Sequence, residues 1–368
     1  MNFLNPPFSF SNTLQHLGFV MTFIEWTHAP GFKGQTWNPV RARNKETGGV
    51  GHFCVHVSPG CENCYAERMQ RRFKNPVRYA AQDREKVDIY LDDDVLTKPL
   101  GWRKPRMVFV CSMTDLFGDW VETEWLDKIF AVMALCPQHT FQVLTKRPER
   151  MGSYISDPYG PDRIYIELKS LAETYVDVFC DWLVTSSGAQ RQHDETISAL
   201  LYDKQPRIIA TKKILGWPLE SVWLGVSVED QARADERIPT LLETPAAVRF
   251  VSYEPALGPV DFREWIPQFD CGHPADETCR RCEVEILDWI IIGGESGPKA
   301  RPFFTRWARS VIQQCKAAGV ACFVKQLGSN PFDGYLSFEF MPLELTDPKG
   351  GDMTEWPDND LRVRDWPK

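Results

Sequence analysis

The chain has 368 residues, 43% hydrophobic and 25% charged, with a formal net charge of −8 and 11 cysteines. Such a chain buries a substantial core, as one barrel-sized domain or two ordinary ones, and has a soluble globular balance. Its acidity argues against a surface wrapped around bare nucleic acid, though not against a local basic groove, and its longest apolar run, around Trp289–Ile292, is far too short to span a bilayer.

Residues 1–22 show no clear periodicity and read as a loose extension, with Met21 an alternative start; residues 23–368 read as a single barrel domain. No signal peptide is legible, so the cysteines point to metal binding in a reducing, cytoplasmic compartment and not to disulfides. The segment from Phe23 is rich in aromatics and turns and leads into the stretch Gly51–Glu67. There Cys54, Cys61 and Cys64 follow the spacing C-x6-C-x2-C. Three thiolates on one short loop hold three irons of a four-iron, four-sulfur (4Fe-4S) cluster and leave the fourth iron open. Zinc is the rival, since C-x2-C is a zinc half-site and His52 or His56 would supply a fourth ligand. Three unrelated buried thiols are the plain alternative, disfavoured because Pro59-Gly60 turns the chain inside the group. A basic helix over Tyr65–Lys74 follows and ends before Pro76; its arginines suit a solvated face.

One pattern then repeats. A short apolar run ends abruptly in small or polar residues, and a helical stretch often follows. The runs are Met107–Cys111, Thr140–Leu144, Val222–Val226, Val248–Val251, Leu287–Ile292 and Ala321–Val324. Strands this apolar are buried on both faces, and their alternation with helices implies a parallel sheet. With one more strand near the cysteine loop, the expected fold is α/β, a partial (β/α) barrel of six or seven parallel strands, with a doubly wound sheet as the alternative. Function collects at the carboxyl ends of such strands. Those ends carry Ser112, Asp115, Lys146, Arg147, Glu229, Glu254, Gly293, Gly294, Glu295 and Lys325. Parallel strands share a direction, so these residues and the three cysteines are expected to face one cavity.

Two insertions interrupt the pattern. Residues 154–213 contain a helix over Tyr165–Leu183 and a polar linker. Residues 267–285 carry Cys271, His273, Cys279 and Cys282, a set that fits a tetrahedral zinc knuckle, with a second iron–sulfur cluster or free thiols as alternatives. The tail 340–368 is expected to wrap the barrel, with Phe340, Trp356 and Trp366 as anchors, or else to be disordered.

The segments IEWT (24–27), TWNPV (36–40), SPGCENCYAERM (58–69), SMTDLF (112–117), LTKRP (144–148), SYEPALGP (252–259), GGESGPKARP (293–302) and KGGDMTEWPDNDLRVR (349–364) resemble the phage gene product 37 / gene product 68 family. That family is regarded as similar to radical S-adenosylmethionine (SAM) enzymes, with a three-cysteine motif and a partial barrel. The resemblance implies a 4Fe-4S cluster on Cys54, Cys61 and Cys64, SAM as second cofactor, and an electron donor such as flavodoxin or ferredoxin. The usual loop of those enzymes is C-x3-C-x2-C, whereas the first gap here is six residues. Their glycine-glycine-glutamate element follows an early strand, whereas Gly293-Gly294-Glu295 follows a late one, so only the cysteines carry over by position.

On that reading Asp115, Glu229 and Glu254 would offer acceptors to ribose hydroxyls or an ammonium group; as plain structure they would be caps or salt bridges. Lys146 and Arg147 would suit an anionic substrate group such as phosphate, or pair on the surface. Tyr65, next to Cys64, would lie over the cofactor or simply pack. The expected activity is hydrogen abstraction by a 5′-deoxyadenosyl radical from a nucleic acid or nucleotide. The rivals are a zinc or iron–sulfur protein that binds nucleic acid without SAM chemistry, and a hydrolase or lyase, for which no HExxH-type motif is present.

Overall fold

The computed structural model describes residues 24–70, 73, 75–174, 215–267, 285–334 and 341–367. Seven strands form the central sheet: β1 (Lys33–Trp37), β2 (Arg106–Val110), β3 (Thr140–Thr145), β4 (Val222–Val228), β5 (Val248–Tyr253), β6 (Trp289–Gly293) and β7 (Ala321–Gln326). They pair in that order and every pair is parallel. Parallel neighbours need crossovers, and helices supply most of them. Helix α1 (Tyr65–Gln70) follows the cysteine loop; α2 (Thr123–Ala134) joins β2 to β3, and α3 (Pro148–Ile155) and α4 (Gly160–Thr174) follow β3. Helix α5 (Gln231–Glu243) joins β4 to β5, and α6 (Thr305–Ala318) lies between β6 and β7. The Asp230 carboxylate caps α5 by accepting from the Arg233 amide at 2.9 Å.

Period-two alternation divides the strand residues between two buried faces. Val108, Val110, Val143, Leu224, Val226, Val251, Ile290 and Ile292 join the core shared with the helices. Phe109, Leu144, Trp223, Phe250, Trp289 and Phe323 meet Trp26 on the other face. The turn Glu25–Thr27 touches β1 and β2 at one end of the sheet and β7 at the other. One short turn reaches both ends because the sheet curls around it into a half-barrel. The Trp26 ring lies 4.8 Å from Phe109 and 6.1 Å from both Phe250 and Trp289. An aromatic side chain of this kind buries 150–250 Å², a gross gain of about 4–6 kcal/mol.

An open sheet leaves edges that must be covered. The tail covers β7: the Val324 amide donates to Val363 O at 2.8 Å, and the Asp365 amide to Cys322 O at 2.9 Å. Trp356 is buried, and the Trp366 indole donates to Trp26 O at 3.0 Å, so both anchor the tail; Phe340 lies outside the described residues. A three-stranded antiparallel sheet follows β1, with Val40–Asn44 between Val50–Gly51 and Val87–Leu91. Its register delivers the chain from β1 directly into the cysteine loop. Of the helix expected over Tyr165–Leu183, α4 covers the part up to Thr174; the rest lies outside the described residues, as do Cys271, His273, Cys279 and Cys282.

Candidate functional site

The cysteine loop lies across the carboxyl ends of the sheet strands and is tied to four of them. After β2 the chain turns at Cys111, whose φ is 53°, a left-handed conformation that re-aims the segment Ser112–Phe117 over the mouth. There the Thr114 hydroxyl donates to Phe53 O, and Ser112 O accepts the Tyr65 hydroxyl. After β3, Arg147 donates to Val55 O at 3.0 Å. After β4, Glu229 accepts from the Ser58 hydroxyl at 2.7 Å. After β6, Glu295 accepts from the Asn63 amide at 2.9 Å, and Arg301 donates to Pro59 O at 2.9 Å and pairs with Glu62 at 3.2 Å. Gly60 permits the closest contact. A Cβ there would sit 2.4 Å from the Glu229 carboxylate, so a side chain would lift the loop off its support.

The carboxylates at this mouth are each matched by a cation. Asp115 accepts from the Phe117 amide (3.0 Å), the Thr145 hydroxyl (2.7 Å), the Lys146 amide (3.0 Å) and the Arg147 guanidinium (2.9 Å). Glu229 is fully buried between Lys146, which also donates to Ser227 at 2.6 Å, and Arg237 at 3.3 Å. Burial alone would raise the Glu229 pKa, but Lys146, Arg237 and Ser58 outweigh it and hold the carboxyl below its ordinary value. Glu295 behaves alike: burial opposes its charge, and Arg301, at 2.6 Å, with Asn63 more than compensates. Glu254 pairs with Lys325 through contacts of 2.7 and 3.0 Å. These carboxylates therefore position the loop and the strand ends. Gly293-Gly294 serves packing too, since a Cβ on Gly294 would lie 2.2 Å from Leu327 O.

Cys61 is buried and Cys54 and Cys64 half-buried, all three unbridged. Cys54 reaches Val55 O and Cys61 the Ser58 hydroxyl, both at 3.8 Å, while Cys64 faces the backbone amides of Glu67 and Ala66. Part of the Cys54 side chain reaches the surface, yet surrounding protein dominates: burial, then the Asp115 charge, pushes its thiol up to about 12. The charges of Cys64 and Cys61 push in the same direction, so the three thiolates repel one another unless a cation lies among them. Among the described residues no three Cys, His, Asp or Glu side chains converge on a point for a single ion. One zinc draws all its ligands to within about 2.0–2.3 Å; the thiolates of a cluster each bind a different iron and stand farther apart. Both histidines weighed as a fourth zinc ligand have other partners. His52 Nδ1 lies 3.0 Å from Val40 O, its pKa lowered to about 4 by burial and then by Arg41, while His56 Nε2 meets Glu67 at 3.0 Å. The donors this loop brings to the mouth are thus its three thiols, with both imidazoles engaged elsewhere.

Sequence reasoning missed the supports Ser58, Asn63, Asn38 and Arg301. Ser58, Asn63 and Arg301 belong to the segments 58–69 and 293–302, which drew notice for their cysteines and glycines. Asn38 accepts from the Met113 amide at 3.0 Å and bonds the Ser112 hydroxyl, fixing the turn beneath Tyr65.

A family model described as "Protein of unknown function (DUF5131)" matches residues 21–337. No curated protein and no solved structure matches the chain.

Proposed function

The chain belongs to the DUF5131 family, and from the geometry of its strand ends we propose that it is an iron–sulfur enzyme of the radical SAM type, with Cys54, Cys61 and Cys64 holding a 4Fe-4S cluster. The observation that carries this reading is the seating of the three-thiol loop on the carboxyl mouth of a parallel half-barrel, clamped from β2, β3, β4 and β6. The motif resemblance to radical SAM enzymes supports it. The bound cluster and SAM, with an electron from flavodoxin or ferredoxin, would supply a 5′-deoxyadenosyl radical for hydrogen abstraction from substrate.

The chain's own residues prepare the site. Arg301 and Asn63 fix the backbone between Pro59 and Cys64, and Ser58 fixes its start. Arg147 brings a guanidinium toward Cys54, where it favours the thiolate against burial. Tyr65 is held over Ser112 beside Cys64. A nucleic-acid-binding module is the weaker reading, because the mouth's cations are already neutralised and Arg68 donates to Ser296 O at 3.0 Å. A separate zinc on Cys271, His273, Cys279 and Cys282 belongs to the proposal on the strength of their spacing. So does a cytoplasmic location, from the free thiols; among the described residues no helix is long and apolar enough to cross a membrane.

Anaerobic purification tests the reading. A brown protein with about four irons and four sulfides per chain, forming 5′-deoxyadenosine from SAM under a strong reductant, is expected. The Cys61→Ala protein should lose iron, colour and SAM cleavage together while melting near the parent. A colourless protein holding zinc alone in the loop, or a Cys61→Ala protein with full iron, would sink it.

A further inference from the structure

Beside the cysteine loop lies a cavity of roughly 320 Å³, between the end of β1, the antiparallel sheet and α1. Small-molecule sites span about 300–1,000 Å³, so this one has room for a single compact ligand. Arg41, Lys98, His52, Trp102, Phe73 and Ser112 are among its walls, and no Asp or Glu among the described residues lines it. Lys146, Arg147, Arg301 and Lys325 at the mouth each face a carboxylate. Arg41 and Lys98 have no such partner among the described residues, and Arg41 Nε is buried without a hydrogen bond. A buried donor without an acceptor is costly, and a guanidinium is shaped for phosphate. The unneutralised positive charge thus lies in the cavity and not at Lys146.

The walls also offer ring faces. Phe73 is exposed, with His52 edge-on at 6.2 Å, and Trp102 stands nearby. Ser112 and Met113 form the wall toward the cluster loop, where Met113 packs in one group with Cys54 and Cys64. A ligand here would lie one layer of side chains from the thiols.

We propose that this cavity binds one nucleotide unit, its phosphate at Arg41 and Lys98 and its base against Phe73 and Trp102, as the substrate of the site described above. As the substrate assignment it rests on the radical SAM reading; as a binding site it stands on its own chemistry. Calorimetric titration of the full chain with the four nucleoside 5′-monophosphates, the corresponding nucleosides and inorganic phosphate tests it. One-to-one binding of at least one monophosphate is expected, tighter than its nucleoside or phosphate alone. Arg41→Gln and Lys98→Gln should each weaken monophosphate and phosphate binding by about tenfold, the effect of losing roughly 1.4 kcal/mol, with the nucleoside unaffected. Phe73→Leu should weaken monophosphate and nucleoside but spare phosphate. A short single-stranded oligonucleotide that binds tighter than the monophosphate assigns the unit to a polynucleotide; equal or weaker binding assigns it to a free nucleotide. Absence of saturable binding of either, or affinities that neither Arg41→Gln nor Lys98→Gln changes by twofold, overturns the proposal. Counting iron and sulfide on the same samples separates the two readings. Iron-free protein that binds nucleotide through Arg41 keeps the site and loses the radical chemistry, and iron-loaded protein that does not bind overturns this inference alone.

Discussion

Glu229 ties the cysteine loop to two buried cations behind the strand ends. It takes Lys146 on one side, Arg237 on the other and Ser58 from the loop, with no exposure to solvent. Breaking a buried ion pair by removing one partner leaves the other charge unsolvated, which costs about 3–5 kcal/mol. Glu229→Gln keeps the volume and removes the charge, so its urea-unfolding free energy at pH 7 should fall by about that amount. The sign of the pH dependence is fixed by the depressed carboxyl. Its stabilisation is present above the unfolded value of 4.5 and is lost as pH falls through the lower folded value, so the variant should show a shallower acid limb. A variant as stable as the parent at pH 7 would show that Lys146 and Arg237 find other partners. Lys146 shows why a strand-end cation cannot be assigned from sequence. The chain Thr145-Lys146-Arg147 places it at the mouth, but its partner Glu229 lies 83 residues away and only the β3–β4 register brings them together.

The loop has little regular structure of its own, so its shape is set by what reaches it from other elements. Arg301 touches Pro59 O, Glu62 and Glu295 at once. Arg301→Ala should therefore speed amide hydrogen exchange across residues 55–64 several-fold and lower iron retention, with exchange in β3–β6 unchanged. Exchange equally slow in both proteins would mean the other ties suffice. The strands were legible for the opposite reason. β2 through β7 are covered on both faces and read as nearly continuous apolar runs. β1, Lys-Gly-Gln-Thr-Trp, ends the sheet, and its exposure runs from open at Lys33 to buried at Trp37, so nothing in its letters marks a strand beyond a place near the loop. The antiparallel sheet was illegible too: Val40–Asn44 alternates arginines with small or apolar residues, and its pairing with Val87–Leu91 depends on a partner far along the chain. The cavity walled by that sheet could not be foreseen for the same reason. The three cysteines, close in sequence, were legible as a unit; the carboxylates that hold their loop were legible as strand ends and not as its supports.

At the scale of the molecule, the half-barrel buries ionisable groups with no opposite charge beside them among the described residues, and these make folding depend on pH. His139 precedes β3 and is almost fully enclosed, with its ring 5.6 Å from Trp102 and 6.0 Å from Phe141. Burial, reinforced by the charge of Arg106, lowers its pKa to about 4 from the ordinary 6.5. A folded pKa below the unfolded one means that the unfolded chain binds the extra proton first. The folded state therefore keeps its full stability above pH 6.5, loses it as pH falls, and levels off near pH 4. At pH 5.0 the loss from this one residue is about 2 kcal/mol, since each pH unit below the unfolded pKa costs about 1.4 kcal/mol. The rings of Trp102 and Phe141 pack against the imidazole and keep water from solvating its charge. His139→Phe keeps a ring in the same aromatic setting and removes the titration. Urea unfolding of both proteins at pH 7.5 and 5.0 should then show the parent losing about 2 kcal/mol more than the variant over that interval. The difference between the two proteins isolates His139 from His52, whose pKa is also lowered to about 4 and which titrates in both. Parallel losses in parent and variant would mean that His139 takes up its proton as readily folded as unfolded, and that the wall formed by Trp102 opens to water before the barrel does.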